Sequence, residues 1–444
     1  MNKYLEIYIN LALKIFLFSI FLFARTFTGF YIFGFRLGEL LIGSSLVLLV
    51  AYLIIYPIKT GYYFLDQKAL HLTLCFLVIL FLLNIIYNDS NFTNLSIFKT
   101  SSYIWSIGAL VLGVEIVKYV SIRLNTYDIF FSTIGLIIIY IFSTRGISEN
   151  RQNFILNYTD KFEYAKGSDI LLAFVFVFIF ILNKLNFSKL SFNLLCLTFA
   201  LLAPLLMVKS RSAFISSVIF LLLLIPYFRK NSKIFDKFIF LTFIASIIIF
   251  VFSTSWVVSR DLVVDDEISD ELKYAITSRY QTINDNVYEA EYLKLKLFYF
   301  EDGRIFTTDG NLNWRFQIWQ DIFSDMWNTQ YFLLGYGYED LIPAMDNDQR
   351  FGQDKQNINV HNYFVHILSR GGILSLLLVI LFYYYLYQAF KVKNLKLDFL
   401  QIFIPLIFNS LFDPCMENAH YPIIFYLLLG LTFNKYIIFN ENKS

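Results

Sequence analysis

Residues 171–230 read LLAFVFVFIFILNKLNFSKLSFNLLCLTFALLAPLLMVKSRSAFISSVIFLLLLIPYFRK. Two apolar runs, 190–208 and 212–228, are separated only by Lys209-Ser210-Arg211, and a third, 168–184, precedes them. An apolar helix needs about 20 residues to cross a hydrocarbon core, so these runs read as successive membrane spans. Working outward adds 8–24, 37–57, 69–87, 102–120, 127–144, 238–256, 361–389, 399–413 and 419–438. The first is not a cleaved signal peptide, because it lacks a small-residue cleavage site and another span follows directly. The expected fold is an all-α integral membrane protein with about 12 transmembrane helices, each of roughly 20 residues.

Composition agrees. Of 444 residues, 57% are hydrophobic and 16% charged, where a soluble domain carries about 25% charge. The mean hydropathy is +0.59. The net charge is only +2, from 36 Lys and Arg against 34 Asp and Glu, and no basic face stands out, so nucleic acid is not an expected partner. Cys75, Cys196 and Cys415 are odd in number and form no CxxC, which argues against a disulfide framework or a zinc knuckle. The 51 Phe and 31 Tyr suit lipid-facing surfaces and interfacial belts.

Orientation follows from Lys and Arg in the short connections. With a cytoplasmic N-terminus, 17 fall inside and 9 outside; the run from Arg229 to Lys237 is the clearest anchor. Residues 1–256 then hold nine spans, 257–360 form one large outer loop, and 361–444 hold three spans with a cytoplasmic C-terminus. The loop carries 9 Lys and Arg against 19 Asp and Glu. Amphipathic helices are expected over 267–300 and 314–328, making the loop a folded, mostly helical cap.

Ionisable groups near spans mark candidate sites. Lys209 and Arg211 sit at an outer hairpin where the positive-inside rule disfavours them. A helix start at Ser212 would add positive potential, which suits a phosphate; a snorkelling pair facing headgroups is the alternative. In the loop, Arg315 and Trp319 share a helix face. Arg can fork two phosphate oxygens and Trp can stack on a sugar, or this is an ordinary surface helix. His361-Asn362 stands where the loop re-enters the membrane. Its imidazole can move a proton near neutral pH, or cap the helix. His366 and Arg370 read as structural. Asp413 and Glu417, with His420, join the last two spans with no cation between them; they position a cation or base, or form a solvated turn. The acidic run 265–271 lacks ligand spacing, Gly335-Tyr336-Gly337 reads as a turn, and no metal site is expected.

Taken in order, these motifs resemble the O-antigen polymerase and O-antigen ligase superfamily. They are the outer hairpin Lys209-Ser210-Arg211, the long loop with Arg315-x-x-x-Trp319, the Leu333-Leu-Gly-Tyr-Gly337 turn, His361-Asn362, and Gly371-Gly372 entering the next helix. Family members carry an acidic residue soon after His-Asn. Here Ser369-Arg370 precedes the glycines, so no role is carried over for that acid.

The resemblance implies a GT-C-like glycosyltransferase of the bacterial inner membrane, with its active site facing the periplasm. The donor would be an oligosaccharide on undecaprenyl pyrophosphate, transferred without metal or other cofactor and with inversion. Arg211 and Arg315 would stabilise the pyrophosphate, helped by Lys209, and His361 would activate or orient the acceptor hydroxyl. Trp319, Asn362, Asp413 and Glu417 would bind substrate. Membrane lipid, a chain-length regulator and a flippase are the other implied partners. A repeat-unit polymerase for O-antigen or capsule is the leading expectation. A ligase acting on lipid A–core shares every motif. A multi-span transporter or flippase would show paired halves and charges spread through mid-membrane.

Overall fold

The computed structural model describes residues 3–60, 64–91, 94–119, 126–145, 158–159, 164–185, 187–230, 237–261, 298–301, 303–307, 310–327, 329–346 and 359–433. The protein is mostly helical. The main helices are α1 (Lys3–Phe23), α2 (Leu37–Thr60), α3 (Lys68–Tyr87), α4 (Gly108–Tyr119), α5 (Thr126–Arg145), α6 (Gly167–Lys184) and α7 (Lys189–Lys209). They continue as α8 (Arg211–Lys230), α9 (Lys237–Asp261), α10 (Gly310–Trp327), α11 (Tyr363–Val392), α12 (Lys396–Ser410) and α13 (His420–Thr432). Two short helices, Leu95–Thr100 and Ser102–Trp105, precede α4.

Every expected span overlaps one of these helices. By length and composition, eight helices among the described residues can cross a membrane: α1–α3, α5, α7–α9 and α11. Ser102–Val117, α6 and α13 are apolar but shorter. Every residue of α13 from His420 to Thr432 is buried, as expected of a helix hydrophobic all round. It crosses α4 at Gly113 and Gly430, where a Cβ on Gly113 would stand 2.7 Å from the Leu427 carbonyl oxygen. Small residues permit such close crossings in membranes. Pro57, Pro204, Pro226 and Pro405 all lie inside helices. Membrane helices tolerate this because neighbouring groups satisfy the freed carbonyls.

α11 is interrupted at Gly372, whose φ of 71° and ψ of −178° are not helical. The break has a partner. Gly335 adopts φ 79° and ψ −179°; Tyr336 N–H donates to Ser369 O at 2.8 Å and Gly337 N–H to Arg370 O at 3.2 Å. Arg370 returns the bond, donating to Gly337 O at 3.2 Å and also to Asp340 O. The Asn84 amide on α3 donates to Arg370 O at 3.2 Å and to Leu334 O. The Gly-Tyr-Gly stretch is therefore more than a turn: it docks on the broken helix and satisfies its carbonyls.

In the large loop, α10 matches the helix expected over 314–328. Ile318, Ile322 and Met326 of α10 pack with Ile342, Met345, Val365 and Leu368 in a second apolar cluster. The expected helix over 267–300 is corrected at its end. Phe298–Glu301 is a strand in a hairpin with Arg304–Thr307, whose turn places Gly303 at φ 75°; residues 267–297 lie outside the described residues. Gly303 takes the positive φ that a tight hairpin turn requires. Gln320 of α10 clamps the Arg304–Thr307 strand through both backbone groups of Ile305, at 2.7 and 2.9 Å.

Candidate active site

A cavity of about 460 Å³ is walled by five short stretches of chain. Arg25 and Thr28 come from the 3-10 turn after α1. Arg36, Gly38, Glu39, Ile42, Gly43, Leu46 and Val47 come from the start of α2 and the strand before it. Ser96, Phe98, Lys99 and Ser102 come from the short helices, and Lys166, Ser168 and Asp169 from the start of α6. Asp413, Cys415, Glu417, Asn418, Ala419 and His420 close it.

Local sequence explains these positions. Tyr31–Ile32 and Phe35–Arg36 form a hairpin whose central residues, Phe33 and Gly34, have φ of 51° and 84°; two positive φ values define the tight hairpin turn that matches strand twist. Glu39 accepts from the Arg36 N–H at 2.9 Å, fixing the entry to α2. Asp169 accepts from the Lys166 N–H at 2.9 Å, so Lys166 sits at the positive N-terminal end of α6. Pro414 starts a single 3-10 turn that ends at Glu417.

His361 carries a φ of 56°, a left-handed conformation that costs free energy in a non-glycine residue and often marks a functional position. Trp314 stands edge-on to its ring at 5.2 Å between centroids. Trp319 Nε1 donates to the Val360 carbonyl at 2.7 Å, just before the histidine. Burial, then the charges of Arg315 and Lys166, push the His361 imidazole down to about 3. Burial raises the Asp413 carboxyl, opposed by Lys166, Arg315 and Arg25 and reinforced by Asp169. Burial pushes Glu417 up to about 8; Arg370, Lys99 and Lys166 oppose the shift and Asp413 adds to it. His361, Arg315, Asp413 and Glu417 thus share one electrostatic neighbourhood whose common member is Lys166.

Of the expected residues, only Asp413 and Glu417 line the cavity; Arg315, Trp319, His361, Asn362, Lys209 and Arg211 do not. Lys209 is half-buried and Arg211 exposed. Their hairpin does abut the site, because Gly167, next to Lys166, packs against Ser210. The helix starts at Arg211 rather than Ser212, and Ser210 Oγ accepts from the Ala213 N–H at 3.3 Å. The Asn362 side chain caps α11, accepting from Phe364 and Val365 N–H at 3.0 and 3.1 Å. The Trp319 N–H is committed to Val360. The 413–420 turn is not without cations as read from sequence: Arg25, Lys99 and Lys166 arrive from distant segments. Among the described residues, no group of three or more His, Cys, Asp or Glu is arranged to hold a metal ion.

Arg25, Arg36, Lys99 and Lys166 enter the sequence argument only as orientation charges. The signal that marked Lys209 and Arg211, cations on the disfavoured side, applies equally to them.

Many long apolar helices, with a cavity whose wall combines cations, carboxyl groups and apolar side chains, fit a multi-pass membrane protein. A family model described as O-antigen ligase matches residues 196–380. This match bears out the resemblance to the O-antigen polymerase and ligase superfamily, and indicates an enzyme of the glycosyltransferase type acting on a lipid-linked saccharide. The comparison with curated proteins found no match.

Proposed function

We propose that this chain transfers a glycan from undecaprenyl pyrophosphate to a second lipid-linked repeat unit, as an O-antigen or capsule polymerase facing the periplasm. The observation that carries the reading is the convergence of Arg25, Lys99 and Lys166 with Asp413 and Glu417 on one cavity, in electrostatic contact with Arg315 and His361. All four cations on its wall come from segments that the Lys and Arg asymmetry assigns to the outer side.

The chemistry follows from the groups present. The acceptor hydroxyl oxygen bonds to the anomeric carbon while the bond from that carbon to the pyrophosphate oxygen breaks, its electron pair leaving with the pyrophosphate. Charge grows on the leaving group, and preorganised cations stabilise it most in a water-poor site. Lys166, Arg25 and Arg315 are the proposed stabilisers, with Lys99 assisting. His361, neutral across the physiological range, orients a substrate hydroxyl by hydrogen bonding; a base titrating near 3 gives little driving force for proton transfer at pH 7. Ile42, Leu46, Val47 and Phe98 give the cavity an apolar wall suited to the first prenyl units. A single displacement inverts the anomeric centre and calls for no metal.

The Phe- and Tyr-rich sequence leans the acceptor towards a lipid-linked repeat unit, since polymerases adapt to individual sugars. The description of the matching family model favours a second reading, a ligase that uses lipid A–core as acceptor. Purified protein incubated with a synthetic lipid-linked repeat unit separates them. A product ladder from that substrate alone identifies a polymerase, whereas product only when lipid A–core is added identifies a ligase.

A further inference from the structure

Glu417 lines the cavity and is 8% exposed. Neither of its carboxylate oxygens has a hydrogen-bond partner among the described residues. A buried carboxyl group without partners is costly and calls for a reason. A polar neighbour is informative: His366 Nδ1 lies 3.7 Å from Oε2. On the far side of that ring, Nε2 lies 2.8 Å from the Thr100 carbonyl oxygen. A carbonyl oxygen only accepts, so Nε2 carries the hydrogen and Nδ1 presents a lone pair towards Glu417. The tautomer is therefore set by the short helix that also supplies Lys99. The charged groups that bear on the carboxyl are Arg370 from α11, Asp413 from its own turn, Lys99 and Lys166.

We infer that Glu417, backed by His366, accepts the proton that the acceptor hydroxyl loses during transfer. This rests on the transferase reading above. As the hydroxyl oxygen bonds to the anomeric carbon and the pyrophosphate departs with its electron pair, the hydroxyl proton passes to the Glu417 carboxylate. The new carboxylic acid then donates a hydrogen bond to His366 Nδ1, and the proton leaves through the cavity before the next cycle. His366, which the sequence marks only as a structural residue, becomes a positioning residue for the proton acceptor. Burial holds the Glu417 carboxyl up near 8, close to working pH, where a general base is most effective.

The experiment compares wild type, Glu417→Gln and Glu417→Asp with a synthetic lipid-linked repeat unit across roughly pH 6 to 9. It also measures binding of undecaprenyl pyrophosphate and thermal stability. Wild-type turnover should rise about tenfold per pH unit below about pH 8 and level above it. Glu417→Gln should lose at least about a hundredfold in turnover, lose that pH dependence, and keep its affinity for undecaprenyl pyrophosphate. Glu417→Asp should retain part of the activity with a displaced limb. Stability separates this role from a structural one. A folded-state pKa raised from about 4.5 to about 8 means wild-type stability falls as pH rises through that window. Gln does not titrate, so Glu417→Gln should match or exceed the wild-type Tm at about pH 9. Turnover of Glu417→Gln within a few-fold of wild type, with the same pH limb, would overturn the inference and leave the transferase reading standing. A Tm well below wild type at every pH would also overturn it, in favour of a structural carboxyl. A wild-type protein that forms no product with any lipid-linked acceptor would overturn the transferase reading, and this inference with it.

Discussion

Trp319 holds the residue before His361: its indole N–H donates to the Val360 carbonyl at 2.7 Å. The bond ties α10 of the large loop to the point where the chain enters α11. Trp319→Phe keeps an aromatic face and removes only the donor. If the ring stacked on a sugar, Phe would substitute well. The anchoring role predicts instead a loss of roughly tenfold in turnover, in line with a hydrogen bond of about 1 kcal/mol plus some misplacement of His361. Steady-state kinetics on purified Trp319→Phe checks this.

Gly335 and Gly372 have nearly identical backbones, at φ 79° and 71° with ψ near 180°. That region is essentially restricted to glycine and costs other residues about 1–3 kcal/mol. Gly372→Ala also drives a methyl into the Leu333 carbonyl. Thermal unfolding in detergent should show it destabilised by at least that amount, with less folded protein recovered. A Tm equal to wild type would mean that this docking contributes nothing.

Lys166 lines the cavity and its charge acts on His361, whereas Arg211 is exposed one hairpin away. Losing a charge-assisted donor inside such a site costs about 3–4 kcal/mol, or roughly 10²–10³ in rate. Lys166→Ala and Arg315→Ala should each lose that much. Arg211→Ala, which the motif alone would rank first, should lose less. Rates measured at matched expression decide the order.

This reordering shows what the sequence can reveal. Helix positions were legible because apolar length is a one-dimensional property, and every expected run overlaps a helix, though among the described residues only eight of the twelve are long and apolar enough to cross a membrane. His361, Asp413 and Glu417 stood out in the sequence because each is polar beside an apolar run, and Arg315 because it shares a helix face with Trp319. Lys166, Arg25 and Lys99 did not, because their meeting on one cavity brings together three separate segments. The break at Gly372 was visible only as Gly371-Gly372, since its partner lies at Gly335. Only residues 298–300 of the 298–307 hairpin fall inside the expected helix over 267–300, because a short aromatic run fits either period. His366 looked structural because its spacing from His361 forms no pair; Glu417, which gives it a partner, lies beyond the end of α12.

Gly43 lines the apolar wall, and a Cβ there would meet nothing within 4 Å. Gly43→Leu therefore adds bulk to the cavity without straining the protein. It should weaken binding of undecaprenyl pyrophosphate by about tenfold or more, corresponding to about 1.4 kcal/mol, while leaving inorganic pyrophosphate binding and Tm unchanged. Equal affinity for the lipid would remove the prenyl units from this wall.

Activity should persist in EDTA, because cations of the protein are proposed to stabilise the leaving group. Complete loss, restored by Mg²⁺ or Mn²⁺, would return Asp413 and Glu417 to consideration as ligands.

The most direct measurement is to locate the prenyl unit that adjoins the pyrophosphate. Undecaprenyl pyrophosphate carrying a photoreactive group on its first prenyl unit is crosslinked to the purified full-length protein, and the labelled peptides are mapped by mass spectrometry. The account predicts labels within 25–47, 95–105, 164–169 and 413–420, competed away by unlabelled lipid and reduced in Lys166→Ala. Competable labelling confined to other segments, with these four unmarked, would contradict it.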